Sequence, residues 1–142
     1  MSTIKQLSIF IENKSGRLHE IMEFIGRADV KIIAGTVADT SEYGIFRLIV
    51  ADPDKVCDIL RQNNVSAQIS DVFAIVTDSK AGSLIGSLRH FSASGVSIEY
   101  MYCFAINGKA LAIIRAGDSV AAQKVIDAHG IKTLSDSDLH NM

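Results

Sequence analysis

The chain has 142 residues, 48% of them apolar and 21% charged, with a formal net charge of −2. That composition supports a globular core, and the scattered lysines and arginines lack the basic face that a nucleic-acid partner normally leaves. No apolar run approaches about 18 residues and residues 1–7 hold no leader-like apolar core, so neither a nucleic acid nor a membrane is expected as a partner and the cytoplasm is the expected location.

Residues 5–12 alternate, with Leu7, Ile9 and Ile11 on one side and Ser8, Phe10 and Glu12 on the other, the pattern of a strand. Residues 13–15 turn the chain, and Ser15 stands where a helix N-cap is expected. Leu18, Ile21, Met22 and Ile25 then follow helical spacing to about Ala28. Residues 31–38 read as a strand, 39–44 as a polar hairpin and 45–51 as a third strand. Asp52-Pro53-Asp54 opens a second helix whose apolar face is Val56, Ile59 and Leu60, and residues 65–70 are a fourth strand.

The second half runs in the same order. Residues 72–77 read as a strand, 82–91 as a helix with Leu84, Ile85, Leu88 and Phe91 inward, and 96–104 as a strand. Asn107-Gly108 is a tight-turn signal, residues 110–114 a strand, 119–129 a helix stopped by Gly130, and 131–134 a short strand. Residues 135–142 read as a frayed tail.

The halves repeat one another at matching positions. Gly16-Arg17-Leu18 and Gly82-Ser83-Leu84 lie 66 residues apart, as do Val30 and Ile32 with Val96 and Ile98, while Gly44 and Gly108 lie 64 apart. A duplicated unit predicts two small domains, 1–70 and 71–142. Each reads β-α-β-β-α-β, giving an α+β fold of two ferredoxin-like units. Antiparallel sheets carry the helices on one face and form a continuous side-by-side sheet. The far face holds either Phe46, Leu48 and Val50 or Ile45 and Ile49, and a second chain stacked on it would cover such a face, which predicts a homodimer. Cys57 and Cys103 fit no metal or redox spacing and read as small buried apolar residues.

The chemistry concentrates in two strand-to-helix loops, residues 12–18 and 78–84. Each ends at a glycine where a helix begins, and the first amides of a helix attract a carboxylate. A side-chain oxygen upstream, from Asn13 or from Asp78 and Ser79, can accept from an ammonium group. A carboxylate site beside an ammonium site recognises a free α-amino acid; without a ligand the same residues are a capped turn.

A tandem β-α-β-β-α-β chain whose first loop reads Asn13-x-x-Gly16-x-Leu18 resembles the ACT domain family over nearly its whole length. The resemblance implies a regulatory protein that binds an amino acid at an interface between domains, through the loop after the first strand and neighbouring strand residues. Asn13, Gly16 and Leu18 fall on the family's positions, with Lys14, Ser15 and Arg17 beside them. In the second copy Asp78, Ser79, Gly82, Ser83 and Leu84 are the counterparts, with Met101 and Tyr102 as candidate walls. There the acid-to-glycine spacing is one residue too long, which departs from the pattern.

Apolar and aromatic walls favour a branched, aromatic or imidazole side chain on the ligand, and a regulated partner protein would carry the signal onward. No catalytic residues, metal ligands or cofactor are expected, because no paired titratable groups, nucleophile motif or phosphate loop stands out. The competing readings are a small ferredoxin-like enzyme and an RNA-binding module, for which Tyr43-Gly44-Ile45-Phe46-Arg47 is a faint echo.

Overall fold

The computed structural model describes residues 1–12, 14–39, 42–80 and 82–142. Its elements run β1 (Thr3–Glu12), α1 (Arg17–Arg27), β2 (Ile32–Asp39), β3 (Tyr43–Val50), α2 (Pro53–Gln62), β4 (Ala67–Asp78), α3 (Ser83–Ala93), β5 (Ile98–Ile106), β6 (Lys109–Ala116), α4 (Ser119–His129) and α5 (Asp136–His140). The chain divides into two units. One comprises Lys5–Ser70 with Leu139–Met142, the other Met1–Ile4 with Asp71–Asp138. They are called the first and second unit below.

In the first unit β3 lies between β1 and β2, antiparallel to both, with Ile9 opposite Phe46 and Gly35 opposite Leu48. The start of β4 flanks β1, where the Phe10 amide donates to the Ser66 carbonyl at 3.0 Å. The helix-bearing face is the one that carries Leu7, Ile9, Ile11, Phe46, Leu48 and Val50, which pack with Ile21, Ile25, Val56 and Leu60. This settles the parity that the alternation left open. Ile21 and Ile25 share one face of α1 and are buried; each contributes about 1.5–3 kcal/mol by leaving water. A Cβ at Gly35 in β2 would lie 2.6 Å from the Leu48 methyl Cδ2, so any larger residue there has to move that buried side chain.

In the second unit β6 lies between β4 and β5, again antiparallel to both. Phe73, Ile75, Ala112 and Ile114 pack with Phe91, Ala122, Val125 and Ile126 beneath α3 and α4. Asp118 caps α4 by accepting from the amides of Val120 and Ala121 at 3.1 and 3.0 Å, and Gly130 closes it at φ 60°.

Several expectations change. The strands expected at 65–70 and 72–77 are one twelve-residue strand, β4. Ser70-Asp71 reads as polar punctuation, yet nothing there breaks an extended backbone, and the Asp71 carbonyl accepts from Arg115 Nη1 at 2.7 Å. The strand expected at 131–134 shortens to a single bridge between Thr133 and Ile75, held by Val76 N to Lys132 O and Leu134 N to Ala74 O at 3.0 and 2.9 Å.

The expected frayed tail is instead α5. Ser135 and Asp138 cap one another, side chain to amide in both directions at 3.2 and 2.9 Å; Leu139 is buried, and Lys31 Nζ donates to the Met142 carbonyl. Cys57 is buried as expected, and burial pushes its thiol pKa up. Cys103 is exposed, because β5 ends its sheet in this unit.

The far face also differs from expectation. In the second unit Ala74, Val76, Leu111 and Ile113 face away from α3 and α4 and are already buried within one chain. Covering them therefore needs no second chain stacked on that face. In the first unit Ile49 is buried, while Phe10 and Tyr43 remain exposed.

Candidate functional site

The two loops enter their helices through the same glycine turn. Gly16 caps α1 at φ 83° and Gly82 caps α3 at φ 91°, both in the left-handed region that glycine enters without steric cost. Ser15 is therefore not the N-cap of α1: the cap is the glycine after it, which has no side chain to offer. The next amide folds back in both copies, Arg17 N to Lys14 O at 3.3 Å and Ser83 N to Lys80 O at 3.2 Å.

The side chains diverge. In the second loop the Asp78 carboxylate accepts from the Lys80 amide at 3.0 Å and from Ser83 Oγ at 2.5 Å. The Ser83 hydroxyl, then the Lys80 amide, holds the Asp78 pKa below its ordinary value. Leu84 packs against the second unit's core, and Ser79 is exposed. The loop thus fixes an acid beside Ser83, the first residue of its helix, although neither bond comes from an amide of α3, and it offers no basic side chain in the first turn.

The first loop places two cations at its helix. Lys14 is exposed and pairs with Glu12 Oε2 at 3.4 Å. Arg17 reaches Glu20 Oε2 with Nη1 at 3.2 Å, its side chain only 16% exposed. The Arg17 Nε is buried and has no hydrogen-bond partner among the described residues. A buried guanidinium donor left open is rare, and an acceptor at this position would remove a penalty of about 1–3 kcal/mol. Leu18 is exposed where its counterpart Leu84 is half-buried. Met22, one turn on, is exposed on the same face of α1, and Val37 is exposed on the helix-bearing side of β2. Asn13 lies outside the described residues.

Met101 and Tyr102 do not act as a pair. Met101 sits opposite Ile114 on the helix-bearing side of β5, whereas Tyr102 sits opposite Ile113 on the other side. The end of β5 nearest the second loop is Ile106, opposite Lys109, itself opposite Asp78. Met101 is five residues from that end, roughly 16 Å along the strand.

No group of three or more His, Cys, Asp or Glu that could hold a metal occurs among the described residues. The His90 and His129 rings stack at 3.9 Å, at the ends of α3 and α4. Stacked rings of this kind do not converge their nitrogens on one ion. No helix is long and apolar enough to cross a membrane. Arg17 was named from the sequence for its charge and place beside the loop; the burial of its Nε depends on packing and is seen only in the structure.

Comparison with known proteins places this geometry among relatives. A family model described as an ACT domain pair matches residues 2–142. The crystal structure of a protein from Bacteroides thetaiotaomicron is similar, at 39% identity and a TM-score of 0.94, with 99% of this chain and 98% of that chain covered. The ligand-free regulatory subunit of aspartate kinase from Thermus thermophilus is 12% identical, with a TM-score of 0.61 over 89% of this chain and 91% of that one. The corresponding subunit from Thermus flavus is 14% identical, with a TM-score of 0.58 over 87% and 90%. At those identities the last two share the fold. No curated protein sequence matches.

Proposed function

The chain belongs to the ACT domain-pair family, and from that premise we propose that it is a regulatory protein that binds one free amino acid at the N-terminus of α1 and works as a homodimer. The observation that carries this reading is the buried Nε of Arg17, which has no partner among the described residues, beside the Gly16 hinge. A ligand carboxylate accepts from Arg17 and from the open end of α1, where the helix dipole favours negative charge. Asn13 is assigned the ligand's ammonium group from its sequence position alone. Leu18, Met22 and Val37 offer an exposed apolar surface beside the loop, which suits a branched, aromatic or imidazole side chain.

The second loop is assigned a structural role. Asp78 is held beside the first residue of α3 by the Ser83 hydroxyl and the Lys80 amide, so a ligand carboxylate there would meet a fixed negative charge. One ligand per chain follows. The aspartate kinase regulatory subunits share this fold and are regulatory by name, which supports a regulatory over a catalytic reading. The effect on a partner protein is a linkage: the ligand shifts an equilibrium only by its differential affinity for two states. The cytoplasm remains the proposed location.

Thermal unfolding with each of the twenty amino acids at about 10 mM tests the reading. A ligand whose Kd is about 100 μM contributes about 2.7 kcal/mol there. One amino acid, or a few of similar shape, is expected to raise Tm, and the shift is expected to vanish in Arg17→Met and survive in Ser83→Ala. No shift with any amino acid overturns it.

A further inference from the structure

We propose that Glu20 is a positioning residue for the ligand site: it holds one corner of the Arg17 guanidinium, so that the opposite edge, Nε with Nη2, takes both oxygens of a free carboxylate at once. The inference rests on the binding reading above and deepens it, since it names the group the ligand must carry and the residue that sets that demand. Arg17 is the first residue of α1, and Glu20 lies one turn on. The Glu20 amide donates to the Gly16 carbonyl at 3.0 Å, which fixes the Glu20 backbone against the hinge. Its carboxylate accepts from Arg17 Nη1 at 3.2 Å, with the Glu20 side chain half exposed and the Arg17 side chain largely buried.

A guanidinium is planar, and its N–H bonds point outward in fixed directions. Nη1 lies on the same side as Cδ, whereas the Nε–H bond points the other way, along the edge that Nε shares with Nη2. An acid on Nη1 therefore leaves that edge to another acceptor, and the buried Nε has none among the described residues. A carboxylate matches such an edge with two parallel N–H···O bonds. A carboxamide presents one oxygen and turns its own N–H groups towards the second donor, so the edge selects a free acid. The neighbouring acids are engaged elsewhere: Glu12 pairs with Lys14 at 3.4 Å, and Glu23 pairs with His19 at 2.9 Å and with Arg27 at 3.9 Å. At the repeat offset the second copy has Ser83 for Arg17 and Gly86 for Glu20, so donor and holder are absent there together. The Glu20 charge also repels a ligand carboxylate. Orientation and repulsion thus act in opposite directions through one side chain, and two substitutions separate them.

The test uses the full chain with the twenty amino acids and their α-carboxamides at about 10 mM in thermal unfolding, then calorimetry on those that raise Tm. Glu20→Ala frees the guanidinium and is expected to weaken the binding amino acid about tenfold. Its Tm without ligand is expected to stay close to the wild type, because an exposed ion pair contributes little. Glu20→Gln keeps an oxygen for Nη1 and removes the charge, and it is expected to bind at least as tightly as the wild type. Arg17→Lys keeps a charge without the edge and is expected to lose about tenfold or more. The carboxamides are expected to bind the wild type about tenfold more weakly than the acids, and the gap is expected to narrow in Glu20→Ala. Wild-type affinity in Glu20→Ala, or a clear loss in Glu20→Gln, overturns the role of Glu20 and leaves the site standing. A carboxamide that binds like its acid overturns the two-oxygen contact. A wild type that binds none of the amino acids overturns the site and this inference together.

Discussion

Gly16 and Gly82 enter their helices at φ 83° and 91°, yet the turns they begin are completed by different means. Beside Gly82 an aspartate from the same loop is tied to the first helical residue through Ser83 Oγ and to the loop through the Lys80 amide. After Gly16 a largely buried arginine holds one donor that nothing described in the protein satisfies. The duplication therefore repeats a backbone and not a site. A left-handed hinge depends on the missing Cβ, which both copies share. What fills the hinge depends on the side chains one to four residues away: Ser83 stands where the first copy has Arg17, and Asp78 where it has Glu12, which pairs with Lys14 instead.

The two copies can be set against each other directly, starting with the cores that hold the hinges. Ile25 and Phe91 occupy the same repeat position and are both buried. Phe91→Ala is expected to cost about 3–5 kcal/mol and Ile25→Ala about 2–5 kcal/mol, read from urea unfolding. A much smaller loss at Phe91 would mean that α3 is not anchored as α1 is.

Binding should separate the hinges. Arg17→Met is expected to remove the whole ligand-induced stabilisation, about 2.7 kcal/mol at a hundredfold excess over Kd, and calorimetry should find no heat. Gly16→Ala and Gly82→Ala should then cost a similar amount of stability, about 1–2 kcal/mol each, since a Cβ at either position meets nothing within 4 Å and the penalty is backbone strain alone. Only the first is expected to weaken the ligand as well. Equal loss of binding in both would restore two equivalent sites.

The smallest expected effect is on pH dependence. The folded-state pKa of Asp78 is lowered by Ser83 and Lys80, so its contribution is fully present above its unfolded value, about 3.9, and is lost as pH falls through the folded value. Asp78→Asn should therefore lower Tm near neutral pH and flatten its fall on acidification. The remaining slope should include Asp138, whose pKa Ser135 lowers in the same way. An unchanged acid limb would mean that the second loop is held by something else.

Much of the fold was legible because it rests on local signals. Asp52-Pro53, Asn107-Gly108 and Gly130 each act within a few residues, and the apolar spacing of Leu18 to Ile25 marks a helix whatever packs on it. The errors came where a polar residue was read as a boundary, at Ser70-Asp71, or where no periodicity exists to read, in the five-residue α5. The cap at Ser135 and Asp138 was a legible sign of that helix. The site was legible only as a loop. Ser15 had the chemistry of a cap and lost the position to Gly16, and Met101 and Tyr102 are neighbours in the chain that a strand turns to opposite faces.

The amino-acid sequence by itself determined the duplication, the order of elements in each copy and the two glycine hinges, because repeats, periodicity and turn chemistry act over short distances. Tertiary structure alone decided which side of each strand meets the helices, which thiol is exposed, and which hinge holds a buried donor that none of the described residues meets. Those outcomes follow from burial, and burial is set by residues far apart in the chain that packing brings together.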